Sequence, residues 1–221
     1  MNKWQEIWNK QERVNNAVLD CLLKADGFDC GAGKFNAKDW MQYVTKIDIN
    51  PSDSIFEVGC GSGAFLFALK LKGYGSELNG LDYSDSLIDL ASMFFNNKSF
   101  KCDEAINVDI KHTFDVVMSH SVFLYFENLD YAKEVLIKMI KKSTKKIVIL
   151  DIPDKSKEKY YYAVRMKNTD SKKYEGLNHM LYDKNWFSDI ALQFNLKCNI
   201  FDQNFLKYGN SKIRFNVVMT K

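Results

Sequence analysis

The residues best suited to chemistry begin at Glu57. In Phe56-Glu57-Val58-Gly59-Cys60-Gly61-Ser62-Gly63-Ala64-Phe65, three glycines alternate where an apolar run gives way to a helical one. Alternating glycines let the backbone turn sharply and let a ligand lie against it. The helix that follows presents free N–H groups to a carboxylate or phosphate. Gly59, Gly61 and Ala64 also satisfy the looser dinucleotide pattern GxGxx[G/A], and a tight turn without a ligand is the plainer alternative. Asp82 stands twenty-three residues past Gly59, in Gly80-Leu81-Asp82-Tyr83-Ser84. A carboxylate there can accept from both hydroxyls of a ribose. Its plainer role is a helix N-cap, for which Ser84 is better placed. Asp103-Glu104 follows the next apolar segment. Either acid can accept from an amino group of a bound base or stand as a solvated loop residue. His120 and His179 are candidate general bases near neutral pH, or hydrogen-bonded structural histidines. His112 precedes its strand and belongs to the opposite end of the sheet.

These residues need elements to hold them. Helical spacing of Trp4, Ile7, Trp8, Val14, Val18 and Leu22 predicts a helix over 3–24. The glycines of 26–33 end it, and a shorter helix is expected from about Ala37 to Thr45. Short strands are then expected at 54–58, ending at Asp82, and at 99–102, 114–119 and 146–151. Helices fall between them at 64–71, 86–95 and 129–141. Such alternation predicts an α/β, Rossmann-like, doubly wound parallel sheet. The ending differs. Segments 196–201 and 213–220 both read as strands, only about a dozen residues separate them, and Gly209-Asn210-Ser211 is a turn signal. The last two strands are therefore expected to be an antiparallel pair. Between strand five and that pair, 154–190 is too long for a simple crossover. It is rich in charge and aromatics, and it is expected to be a helix plus a segment covering the sheet's carboxyl edge, where open α/β folds place ligands.

Composition narrows the class. With 46% apolar and 27% charged residues in 221, the chain is an ordinary globular one, of a size that buries a core without disulfides or structural metal. A net charge of +3, with Lys and Arg spread along the chain, is not the signature of a nucleic-acid binder. Cys21, Cys30, Cys60, Cys102 and Cys198 are odd in number and lack CxxC spacing, so neither a disulfide framework nor a zinc site is indicated. No signal peptide or membrane-length apolar run is present. The expectation is a cytoplasmic protein without metal and without membrane insertion.

The run Glu57 to Gly63, then Asp82, Glu104-Ala105 and Phe114-Asp115-Val116-Val117-Met118-Ser119, resembles the class I methyltransferases that depend on S-adenosylmethionine (SAM). The resemblance implies that Gly59, Cys60, Gly61 and Gly63 line the methionine part of SAM, with Glu57 orienting its amino group. It implies Asp82 on the ribose, Asp103 or, better, Glu104 with Ala105 at the adenine, and Tyr83 and Ile106 flanking that ring. His120 would sit near the methyl group. Tyr125, His179 and Tyr182 are the expected acceptor residues, and the product is S-adenosylhomocysteine (SAH). The implied chemistry is displacement at the methyl carbon of a sulfonium, so the protein mainly orients its reactants and excludes water. Ser119 to Phe126 lacks the Asn-Pro-Pro-Tyr-like segment of enzymes that methylate base nitrogens, which points to a small-molecule acceptor. Lys155 to Lys173 can gather an anion by steering or form a solvated helix face.

A narrower resemblance rests on Asp26-Gly27-Phe28-Asp29, Trp40, Gly176-Leu177-Asn178-His179 and Tyr182-Asp183-Lys184-Asn185-Trp186-Phe187. These are similar to small bacterial methyltransferases encoded beside surface-polysaccharide genes. That implies O-methylation of a sugar or a capsule phosphoramidate. The competing classes are an NAD-dependent enzyme on a similar sheet and a SAM-binding protein without catalysis. The expected organisation is one methyltransferase domain, with a helical lid (1–48), a SAM-binding core (50–152), a covering segment (153–192) and a closing strand pair (193–221).

Overall fold

Two blocks of apolar residues explain the architecture. In β4 (Phe114–His120) and β5 (Ser143–Pro153), successive side chains alternate between them. Ile147 and Ile149 pack into one, Val148 and Leu150 into the other. A strand buried on both faces reads as a continuous apolar run, and that is the mark of a parallel sheet sandwiched by helices. The computed structural model describes residues 19–28, 40, 44, 46–95, 97–168, 178–205 and 207–221, with the side chains of 97 and 164–168 left out.

The remaining elements are α1 (Leu19–Ala25), β1 (Ile55–Val58), α2 (Ala64–Leu71), β2 (Leu78–Asp82), α3 (Asp85–Ser92), β3 (Phe100–Cys102), α4 (Leu129–Lys142), α5 (Glu158–Asn168), α6 (Lys184–Gln193), β6 (Lys197–Asp202) and β7 (Arg214–Thr220). The sheet runs β3-β2-β1-β4-β5-β7-β6. The first five strands are parallel, and β7 is antiparallel to both β5 and β6. The mostly parallel, Rossmann-like sheet with an antiparallel closing pair is thus the one the alternation predicts. One block contains α1, α2 and α3, the other α4 and α6.

Local chemistry sets the helix starts. Ser84 caps α3 by accepting from the Leu87 N–H, and Asn128 caps α4 by accepting from the Tyr131 N–H; each satisfies a donor that the first turn leaves open. Strand β5 exceeds its expected span because Ser143 pairs with Phe114 at one end and Pro153 with Arg214 at the other. The β5–β7 register slips between Ile149 and Ile152. Asp151 sits in that bulge at φ 63, and its N–H donates to Asn216 Oδ1 at 3.0 Å instead of the ladder. Bulges of this kind re-aim side chains beside functional sites.

Several expectations fall outside the described residues: the first two-thirds of the N-terminal helix with Trp4 and Trp8, Gly31 and Gly33, most of the helix from Ala37 to Thr45, and Lys172, Lys173, Tyr174, Gly176 and Leu177. Trp40, Val44, Lys46 and Ile47 are helical. No helix among the described residues is long and apolar enough to cross a membrane. None of their His, Cys, Asp and Glu residues group to hold a metal ion.

Candidate functional site

The strand order reverses between β1 and β4, and a cavity of about 870 Å³ opens at their carboxyl ends. Open α/β sheets bind ligands at such a switch point. The cavity has two chemically distinct ends.

The acidic end is built on the glycine loop. Gly59 and Gly61 have φ of 72° and 53°, a region that L side chains avoid. A Cβ on Gly61 would also sit 2.5 Å from Asp26 Oδ1. Asp26 accepts the Ser62 N–H at 2.7 Å, and Asp82 accepts from Gly61 N at 2.9 Å and from Ser84 N at 2.9 Å. Thus Asp82 ties the loop to the start of α3 while keeping lone pairs for a ligand. Glu57 is buried, and its Oε2 has no hydrogen-bond partner among the described residues.

Burial raises all three carboxylates: Asp26 to about 7, Asp82 to about 6, and Glu57 well above its ordinary value, the last with help from the charges of Asp26 and Asp82. No salt bridge reaches any of them among the described residues. An unneutralised acidic pocket with an orphaned carboxylate oxygen is complementary to a cation. SAM carries a sulfonium and an ammonium, so the residues present fit it.

Farther along the same wall lie Tyr83, Glu104, Ala105, Ile106 and Tyr131. Tyr131 OH donates to Glu104 Oε2 at 3.5 Å. Asp103 turns the other way, pairing with Lys101 at 2.5 Å and accepting from Asn107 Nδ2 at 2.7 Å, so of the two acids Glu104 is the one facing the cavity. Cys60 lines the cavity, whereas Gly63 does not; it caps α2 at φ 76. In the sequence Asp26 stands only in a helix-ending segment and in a motif. The chain folds back across 36 positions to bring it to Ser62, a separation no local pattern announces.

The second end is aromatic and basic. His120, at the end of β4, stacks on Phe65 at 5.6 Å and packs edge-on to Trp40 at 5.5 Å, with Phe28 at 5.7 Å. Burial lowers its pKa to about 4. The imidazole is therefore neutral at physiological pH and far weaker than the near-neutral base expected from sequence. His179 lines the cavity too, in contact with Tyr161 OH through Nδ1 and edge-on to Tyr125 at 5.3 Å. His112 is exposed, 3.9 Å from Glu77, at the opposite sheet edge as expected.

Tyr182 corrects an expectation. It does not line the cavity but is fully buried, and its OH donates to the Phe123 carbonyl at 2.8 Å. The backbone around it is stitched down by Tyr182 N to Pro153 O at 2.9 Å and Met180 N to Leu124 O at 2.9 Å. Tyr182 is a strut that fixes the segment carrying His179.

The cations of the cavity are also not those of the 155–159 run. Lys155 and Lys159 are exposed away from it, and Lys157 pairs with Asp154 and Asp202. Lys207, Tyr208, Asn210 and Arg214, from the β6–β7 connection and the start of β7, line the cavity instead. The sequence marked that stretch only as a turn.

Residues 56–148 match a family described as a methyltransferase domain. The chain carries a SAM-dependent methyltransferase domain. It is 25% identical over 195 residues to phosphoethanolamine N-methyltransferase 1 of Zea mays, covering 83% of this chain but only 37% of that protein. It is 29% identical over 77 residues to the malonyl-[acyl-carrier protein] O-methyltransferase of Bacillus cereus, 34% of this chain and 29% of that one. The fold resembles the SAH-bound magnesium protoporphyrin IX methyltransferase of Synechocystis PCC 6803, with a TM-score of 0.60 at 10% identity over 99% of this chain and 91% of that one. At that identity the likeness is one of fold. The methyltransferase domain and its fold neighbours select SAM over the nicotinamide alternative.

Proposed function

We propose that this chain transfers the methyl group of SAM to an oxygen of a small, anionic acceptor made for a surface polysaccharide or capsule, a sugar or phosphoramidate being the acceptor class. The carrying observation is the single cavity that joins the acidic glycine loop to a chamber lined by His120, Tyr125, His179, Lys207 and Arg214. Donor and acceptor can share it without a protein or nucleic-acid surface. SAM supplies, when bound, a methyl group already activated on sulfur.

In this reading Asp82 holds the ribose, Glu57 and Asp26 balance the positive charge, and Glu104 with Ala105, Tyr83 and Ile106 receives the adenine. Phe28, Trp40 and Phe65 exclude water around His120, which serves as a neutral wall and hydrogen-bonding group. His179, steadied by Tyr161, is the histidine left to take a proton if the acceptor oxygen is an alcohol. An acceptor oxygen that is already anionic needs no base. The core (50–152) carries the donor and, through His120 and Tyr125, one wall of the acceptor chamber, which the covering segment (153–192) and closing pair (193–221) complete.

One observation supports the polysaccharide assignment and another the charge of the acceptor. Asp26, Phe28, Trp40 and His179, from the motifs that resemble capsule-linked methyltransferases, converge on the cavity. The named acceptor of the maize relative carries a phosphate, in keeping with an anionic acceptor. The four cysteines described are free, in keeping with a cytoplasmic enzyme. The test is SAM consumption against a panel of sugars, nucleotide-linked intermediates and phosphorylated metabolites. Turnover confined to anionic members is expected. Failure of calorimetry to detect SAM binding overturns the reading, and efficient turnover of neutral acceptors overturns its acceptor half.

A further inference from the structure

We propose that Arg214 is the anchor for an oxyanion, a carboxylate or phosphate, on the acceptor. The inference rests on the methyl-transfer reading above and adds to it the group by which the acceptor is recognised.

Arg214 opens β7 and is only 3% exposed, yet it lines the cavity. Its Nε and Nη1 are buried without a hydrogen-bond partner among the described residues. A buried guanidinium with open donors is costly unless something fills them. The protein supplies charge but not bonds. Asp151 Oδ1 is 3.7 Å from Nε, an ion-pair distance too long for a hydrogen bond. The other oxygen, Oδ2, is engaged by the Ser121 hydroxyl and by Tyr208 OH at 3.1 Å. The Tyr161 ring lies 5.3 Å from the guanidinium carbon and supplies a cation–π face. The guanidinium is thus held by its face and its charge while part of its donor fork stays open.

The frame around it is built, not incidental. Asp151, in the bulge of β5, and Ser121, just past the end of β4, both adopt left-handed backbone, at φ 63 and φ 59. Non-glycine residues persist there only when the surroundings impose it, and such strain gathers at functional sites. Asn216 holds the Asp151 N–H, and the Ser121 N–H donates to the Leu150 carbonyl at 3.1 Å. Arg214 and His120, the last residue of β4, both line the cavity. The anion site and the β4 end therefore face one chamber, and Lys207 on its rim adds a second cation. An oxyanion matches both the charge and the planar fork of arginine, which a carbonyl or hydroxyl does not. Asp151 is a positioning residue here, since it aims Arg214 rather than touching the acceptor.

The test uses the SAH-loaded protein and three probes: inorganic phosphate, acetate, and uncharged acetamide, at ionic strength matched with chloride. Saturable binding of phosphate or acetate, and none of acetamide, is expected by calorimetry or thermal shift. Stronger phosphate binding assigns a phosphate-bearing acceptor, and stronger acetate binding a carboxylate. Arg214→Lys keeps the charge but loses the fork and should weaken the anion by roughly tenfold. Arg214→Met should abolish binding. Both variants should keep SAH affinity within about twofold, which shows that they fold. SAH binding without anion binding, or anion binding that survives Arg214→Met, overturns the assignment. If SAH itself does not bind, the donor reading fails, and the same anion titration on the free protein still decides Arg214.

Discussion

The two ends of the cavity are made in opposite ways. The acidic end depends mainly on one strand–loop–helix passage, Glu57 to Ala64, and on the end of the neighbouring strand at Asp82, with Asp26 alone brought in from a distant segment. The basic end draws single residues from β4, the covering segment, the β6–β7 connection and β7, with Asp151 of β5 behind Arg214. The first end has surplus carboxylate and no salt bridge among the described residues. The second has a guanidinium whose charge is answered by Asp151 but whose donors are not. Each end lacks the charge or the bonds that one reactant would bring. A cationic donor and an anionic acceptor entering opposite ends of one cavity would satisfy both.

The largest effect that can break this comparison is Asp82→Ala. Loss of a charge-assisted partner should weaken SAM binding by about 1–3 kcal/mol, while phosphate or acetate binding at the other end stays unchanged. Calorimetry with each ligand checks both halves. A parallel loss of anion binding would mean that the two ends are one folded unit rather than separable sites.

Acidification should act on the same end. Asp26 and Asp82 have folded pKa values near 7 and 6, above the unfolded value of 3.8. The ligand-free fold therefore favours their protonated forms, and their contribution to stability is present at low pH and is lost as pH rises from about 4 to 7. A cation favours the ionised forms, so SAM affinity should fall by roughly tenfold between pH 8 and pH 5.5. SAH lacks the sulfonium charge and should lose less. Isothermal titration across that window, with both ligands, separates charge recognition from general acid damage. Equal slopes for SAM and SAH would remove the sulfonium from the argument.

Tyr182→Phe sharpens the distinction between wall and strut. It deletes the hydrogen bond to Phe123 O without emptying the core. Stability in urea should drop by about 1 kcal/mol, with SAM affinity unaltered. Lys159→Glu should do least. Lys159 is exposed and away from the cavity, so the acceptor KM should change by no more than about twofold, as surface charges act weakly and are screened. A large rise in KM would restore long-range steering by the covering segment.

What the sequence determined by itself was whatever depends on neighbours in the chain. The glycine loop, the Ser84 cap and helix α2 are local. Their dihedral demands and hydrogen bonds are closed within a few residues, so residue type and spacing carry them. The parallel sheet followed from period and segment length, and the closing antiparallel pair from a linker too short for a crossover. Tertiary structure decided everything that depends on which distant segments meet. Asp26 reaches Ser62 only because α1 packs beside the glycine loop. The imidazole of His120 loses its basicity only because Phe28, Trp40 and Phe65 close around it. Tyr182 becomes a strut because the covering segment turns its ring inward onto Phe123. Arg214 becomes a buried cation at the cavity because β7 inserts between β5 and β6, which sets the first residue of an apolar strand opposite Pro153 at the carboxyl edge, within ion-pair reach of Asp151. Burial and long-range pairing change what a side chain can do without changing its identity, and neither is encoded in local spacing.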